Sequence, residues 1–175
     1  NPNKLNYGRL GAAAGSLFAA ERFKQAAGVE LVGITYKGGE TTTVAMLSGE
    51  IQVYFATLSS VKPRLVSPQI RVYGVTAAQR SPILPDVPTF KELGLEGVNR
   101  PALYGIWGPK QLPAPLVAQL NAAVKKVLQD PAVIKRLEAT GSRVVANSPT
   151  EFAAQLKAEY EIYKQVVDAQ KLKLD

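Results

Sequence analysis

Residues Tyr7 to Phe23 read YGRLGAAAGSLFAAERF, a run filled mostly by glycine and alanine in which a single cation, Arg9, stands early. The run lies between a strand pattern and a helix pattern. A bare strand-to-helix turn exposes unpaired backbone N–H groups at the positive end of a helix, and the chemistry that offers is anion binding. The candidate contacts are Gly8, Arg9, Gly11, Ala12, Ala13, Ala14, Gly15 and Ser16. The glycine spacing is neither the dinucleotide pattern nor the P-loop pattern, and small residues here also suit close packing of helix on sheet.

Two other turns offer similar chemistry. Tyr36 could supply an aromatic wall, and Gly38 and Gly39, after Lys37, further backbone donors. Thr57 and Ser59 could add hydroxyls at the same edge, or could simply cap the next helix.

Catalysis has little to work with. The chain contains no histidine and no cysteine, which removes the commonest general base, the thiolate nucleophile and the thiolate metal site. Of the four aspartates, Asp86 sits between prolines, Asp130 reads as a helix cap, and Asp168 and Asp175 lie near the C-terminus. No acid and base pair is gathered at one edge, so a binding protein is favoured over an enzyme, and neither cofactor nor metal is expected. Lys and Arg exceed Asp and Glu by 21 to 14, a formal charge of +7 that favours anionic partners. The cations are scattered along helices rather than clustered, which argues against nucleic acid. No stretch is apolar enough for a membrane-spanning helix.

Positioning falls to a repeated scheme. Leu5 and Tyr7 alternate with Lys4 and Asn6 as a first strand; the turn from Gly8 to Gly15 leads into a helix carrying Phe18, Ala19, Phe23 and Ala26, stopped by Gly28. Residues 30–36 predict a second strand, a short helix with Val44 and Leu47 on one face ends at Gly49, and Ile51, Val53 and Phe55 mark a third strand. A helical or irregular piece follows at 58–65, and residues 70–76 predict a fourth strand. Repeated strand, glycine turn and helix imply a parallel sheet, whose ligands lie beyond the C-terminal strand ends.

The character changes after a proline-rich loop at 79–101, with one short helix at 90–93, and the extended segment ALYGIWG at 102–108. Leu116, Leu120, Val124 and Val127 form a helical stripe; Asp130 and Pro131 open another helix. Ser148, Pro149 and Glu151 predict a capping box before a long helix with Phe152, Leu156, Tyr160, Tyr163 and Val167 on one side. Between them SRVVA at 142–146 predicts a lone strand, which needs partners from elsewhere.

Several segments together resemble the substrate-binding proteins of tripartite tricarboxylate transporters, the Bug or TctC family. They are YGRLGAAAGSLFAAERFKQAAGVELVGITYKGG, SGEIQVYFATLSS, YGVTAAQRSPILPDVPTFKELGLEG and YGIWGPKQLPAPLVAQLNAAVKKVLQDPAVIKRLEATG. The most specific pieces are Tyr36 to Gly39 and the loop from Arg80 to Gly94. The resemblance implies an α/β, periplasmic-binding-protein-like fold, a type II flytrap of two domains located in the periplasm. It implies a complete second domain with a βαβ sheet over residues 1–102, a hinge crossover at 103–108, and C-terminal elements of an incomplete first domain over 109–175. It also implies that the N-terminal half of that first domain lies upstream of Asn1.

Within that family a carboxylate is gripped by the turn after this strand, through serine or threonine hydroxyls beside glycines and through backbone amides. Here Arg9 replaces the usual serine, Ala12, Ala13 and Ala14 replace small hydroxyl residues and glycine, and Leu17 replaces the customary histidine. Backbone donors survive these changes, and Arg9 can substitute a charge-assisted bidentate contact. The expected function is capture of a di- or tricarboxylate or related organic acid, and its delivery to membrane transporter subunits. The competing expectation is a ligand-sensing or protein-interaction module with an altered pocket. The helices beyond residue 109 are expected either to meet the missing half-domain or to associate through exposed apolar faces.

Overall fold

The computed structural model describes residues 4–11 and 14–172, and divides them into two compact units. The first comprises residues up to 102 together with those from 165 onward; the second spans 103–164.

The first unit is built on a three-stranded parallel sheet of order β2-β1-β3, from β1 (Asn6–Arg9), β2 (Val32–Thr35) and β3 (Val53–Tyr54). α1 (Gly15–Ala27) joins β1 to β2, α2 (Gly39–Leu47) joins β2 to β3, and α3 (Leu58–Val61) follows β3. Gly28 takes the left-handed conformation that ends α1, and Gly49 follows α2 at φ +79°. Tyr7, Leu17, Ala20 and Leu31 form the buried core, with Phe23, Val53, Phe55 and Leu172 packed against it. Phe23, Phe55 and Phe90 stack edge-on or tilted at centroid separations of 5.7, 6.0 and 6.2 Å, tying the proline-rich loop to α1 and the residue after β3.

Four sequence expectations change here. β1 runs through Gly8 to Arg9 rather than stopping at Tyr7, because Asn6, Tyr7, Gly8 and Arg9 pair in register with Val32, Gly33, Ile34 and Thr35. α2 buries Thr42, Thr43 and Ala45, while Val44 is 51% exposed. Those threonines are tolerated inside because each hydroxyl donates to a carbonyl one turn back: Thr42 to Gly38 and Thr43 to Gly39, both at 2.8 Å. The fourth strand and the short helix at 90–93 are absent among the described residues. Residues 70–76 have a single ladder partner, Val75 against Thr89, since Pro88 beside Thr89 has no N–H to extend the pairing. Residues 90–94 make a turn instead, started by a capping box between Thr89 and Glu92.

In the second unit, α4 (Ala114–Val127) and α5 (Pro131–Glu138) are followed by α6 (Pro149–Gln170), which ends in the first unit. The Asp130 carboxylate caps α5 by accepting from the Ala132 N–H at 2.7 Å, and Ser148 and Glu151 close the capping box of α6. Residues 142–146 form no strand, and Val145 stands exposed. On α6 the buried residue is Val166 rather than its neighbour Val167, and Tyr160 is exposed. No described residue between 103 and 164 is buried.

Candidate functional site

The topology brings the predicted turns to one edge. In a parallel sheet each strand's C-terminal end meets the N-terminus of the next helix, so the ends of β1, β2 and β3 and the starts of α1, α2 and α3 share one side. Arg9 closes β1 directly beside Thr35, its registered partner at the end of β2. The Arg9 Nε–H donates to Thr35 Oγ1 at 2.9 Å, and the Tyr36 N–H donates to the Arg9 carbonyl at 2.9 Å. Among the described residues no carboxylate forms an ion pair with Arg9.

The helix starts at this edge lack side-chain caps. Ala14 is the N-cap of α1 and Gly38 that of α2, both in extended backbone, and neither bonds the first turn through its side chain. A missing cap costs a helix about 1 kcal/mol and leaves its first amides to other acceptors. α1 has no acidic residue in its first turn, whereas α2 carries Glu40 there, so an anion is drawn more strongly to the start of α1.

The individual positions differ in how open they are. Gly11 has φ +111° and Gly15 opens α1; a side chain added at either would meet open space. Gly8 is the opposite case, for a Cβ there would collide with Thr42 Cγ2 and lie 2.7 Å from Ile51 Cδ1, so this glycine serves close packing inside the strand. Ser16 is buried, and its oxygen accepts from the Leu10 N–H at 3.1 Å, which pins the turn onto α1. Gly39 packs against Ser60 and the Tyr54 hydroxyl. Thr57 is the N-cap residue of α3 and its hydroxyl lies 3.2 Å from that of Ser59. Ala12 and Ala13 lie outside the described residues.

Tyr36 departs most from the expected arrangement. Its hydroxyl donates to Glu50 at 2.6 Å, and desolvation, then this hydrogen bond and the Glu50 charge, push its pKa up to about 12. Glu50 precedes β3, and its carbonyl accepts from the Asn6 side chain at the start of β1, so this hydroxyl is held away from the strand ends. Sequence reasoning missed Thr35, Tyr54 and Ser60. The signal for Thr35 was its place as the last residue of the strand beside Arg9, which only the register reveals.

A second concave surface, lined by Ala78, Gln79, Arg80, Thr89, Lys91 and Glu92, also contains cations. Those charges are already matched: Arg80 pairs with Glu92 at 2.9 Å and Lys91 with Glu96 at 3.0 Å. The Arg80 guanidinium and the Thr89 amide hold the Glu92 carboxyl down at about 2. An incoming anion would have to displace Glu92 there, whereas Arg9 at the strand edge has no ion-pair partner among the described residues.

A curated relative from Pseudomonas sp. strain P51, a UPF0065 protein encoded between tcbD and tcbE, is 28% identical over 95% of this chain and 50% of its own length. A UPF0065 protein of Agrobacterium vitis is 29% identical over 95% of the chain and 49% of its own length. The chain therefore spans about half the length of the curated relatives it matches. Among solved structures, a periplasmic transporter superposes with a TM-score of 0.90 at 35% identity, covering 100% of this chain and 58% of its own. An R. palustris protein with adipate gives 0.88 at 26% identity over 98% and 57%. MatC from Rhodopseudomonas palustris with bound malate gives 0.82 at 29% identity over 94% and 57%. These likenesses establish the periplasmic-binding-protein fold. The profile of the tripartite tricarboxylate transporter family receptor matches residues 1–172, and the chain belongs to that family.

Proposed function

We propose that this protein is a periplasmic solute receptor that takes a small organic acid at the C-terminal edge of its β2-β1-β3 sheet for delivery to membrane transporter subunits. The observation that carries this reading is a cation with no ion-pair partner among the described residues, Arg9 at the end of β1, followed a few residues later by a helix start, that of α1, with no side-chain cap. Hydrogen bonds between a carboxylate and a guanidinium or helix-start amides are stronger than neutral ones, typically about 1.5–3 kcal/mol each. Relatives holding adipate and malate support the ligand class. Gly8 contributes by packing, and the donors assigned to the ligand are Arg9, the amides from Gly11 to Ser16, and those of Gly38 and Gly39, with the Thr57 hydroxyl beside them.

The residues 103–164 bear on the same function. Tyr104, Ile106, Trp107, Leu120 and Val127 are exposed, and α4, α5 and α6 as far as residue 164 bury no described residue against one another. This reading has them completing a domain with polypeptide equivalent to the remaining half of the relatives, so that residues 1–102 form one jaw of a clamp. Native mass spectrometry of the purified chain should show self-association or a retained second polypeptide, and a compact monomer would count against it.

The ligand test is a thermal-shift panel of adipate, malate, citrate and their amides. Stabilisation by acids and not by amides is expected. If no carboxylate shifts the melting temperature, the protein-interaction reading takes its place.

A further inference from the structure

We propose that Thr35 is a positioning residue for the ligand: it occupies the Nε–H of Arg9 and thereby leaves the guanidinium to receive a carboxylate end-on, through Nη1 and Nη2. The proposal rests on the reading of Arg9 as the cation of a carboxylate site.

Arg9 and Thr35 are registered partners at the ends of adjacent parallel strands, so their side chains leave the sheet on the same face, about 4.8 Å apart at the backbone. The Nε–H to Oγ1 hydrogen bond of 2.9 Å spans that gap. A guanidinium offers a carboxylate two bidentate faces, one from Nε with a terminal nitrogen and one from the two terminal nitrogens. With Nε engaged, only the end-on face remains. No carboxylate among the described residues occupies that face, since none forms an ion pair with Arg9. The hydroxyl also restricts a long side chain whose rotamer freedom would otherwise be lost on binding. Two consequences follow. The site recognises one planar carboxylate by geometry as well as by charge, so lysine cannot replace arginine. Thr35 acts only through Arg9, so its effect should vanish when Arg9 is gone.

The experiment is a double-mutant cycle by calorimetric titration with adipate and malate, using wild type, Arg9→Ala, Arg9→Lys, Thr35→Val, Thr35→Ser and Arg9→Ala combined with Thr35→Val. Valine keeps the branched shape and removes the acceptor. Arg9→Ala and Arg9→Lys should each weaken binding on the order of tenfold or more, and Thr35→Val about threefold to tenfold, while Thr35→Ser should retain near wild-type affinity. In the Arg9→Ala background Thr35→Val should change nothing. Circular dichroism melting of each variant separates a loss of binding from a loss of fold. An unchanged affinity for Thr35→Val, or an equal loss with and without Arg9, would overturn the positioning role while leaving the carboxylate reading standing. Failure of the wild-type protein to bind either acid would overturn both.

Discussion

The two units carry similar hydrophobic patterning and spend it differently. In the first, Tyr7 is 1% exposed, its hydroxyl donates to Glu21 at 3.0 Å, and Lys24 balances the buried Glu21 at 2.9 Å. Burial, then the neighbouring Glu21, raise the Tyr7 pKa well above the ordinary phenol range. In the second, α4 has an apolar stripe as regular as any in the chain, yet Leu120 and Val127 remain exposed and Trp107, at 61% exposure, has Phe152 as its aromatic neighbour at 5.5 Å. Periodicity makes a helix amphipathic. Only a partner surface turns the apolar side into a core.

The largest expected contrast comes from truncating one residue on each side of this comparison. Tyr7→Ala removes a buried ring and takes the hydroxyl donor from the buried Glu21, so urea denaturation should show a loss of about 3–5 kcal/mol. Leu120→Ala, on an exposed stripe, should fall within about 0.5 kcal/mol of wild type in this chain. Equal losses would mean that α4 is covered in solution. Next in size is Gly8→Ala, where the added methyl meets Thr42 and Ile51 across a close-packed strand; a loss of about 1–3 kcal/mol is expected. A smaller effect is expected at Asp130→Ala, which removes the cap on the Ala132 amide and should cost about 1 kcal/mol of local stability, read by hydrogen exchange across α5.

The smallest effect is a pH dependence. Glu92 has a folded-state pKa of about 2 against an ordinary 4.5, lowered first by Arg80 and then by the Thr89 amide. A depressed carboxylate contributes stability that is present above its ordinary pKa and is lost as pH falls from 4.5 through about 2. The melting temperature should therefore decline over that window in wild type and decline less in Glu92→Gln. Because this group is exposed, salt should shrink the difference.

Comparing the units also shows which features were legible in the sequence. The helix ends at Gly28, Gly49, Asp130 and Ser148 with Glu151 were readable because capping chemistry is local, involving residues two to four apart. The parallel sheet was readable because strand, turn and helix recur. The strands expected at 142–146 and 70–76 did not form among the described residues, since a strand needs a neighbour and alternation alone does not say where one is. The buried face of α2 was misread because threonine looks polar in a sequence, yet its hydroxyl can be satisfied by its own helix. At the candidate site, Arg9 and the small residues stood out by type. Thr35 did not, since its meaning lies in register, and the commitment of Tyr36 to Glu50 is a contact across fourteen residues that no local pattern encodes.

The central claim is that a carboxylate sits at the C-terminal strand edge beside Arg9. Amide chemical-shift mapping of the isotopically labelled protein titrated with adipate tests it most directly. The account predicts the largest shifts from Arg9 to Leu17 and from Thr35 to Gly39, smaller ones from Thr57 to Ser60, and little change at Asn6, Val32 and Glu50. Shifts concentrated instead on Ala78, Arg80, Thr89 and Glu92, with the Arg9 turn silent, would contradict it.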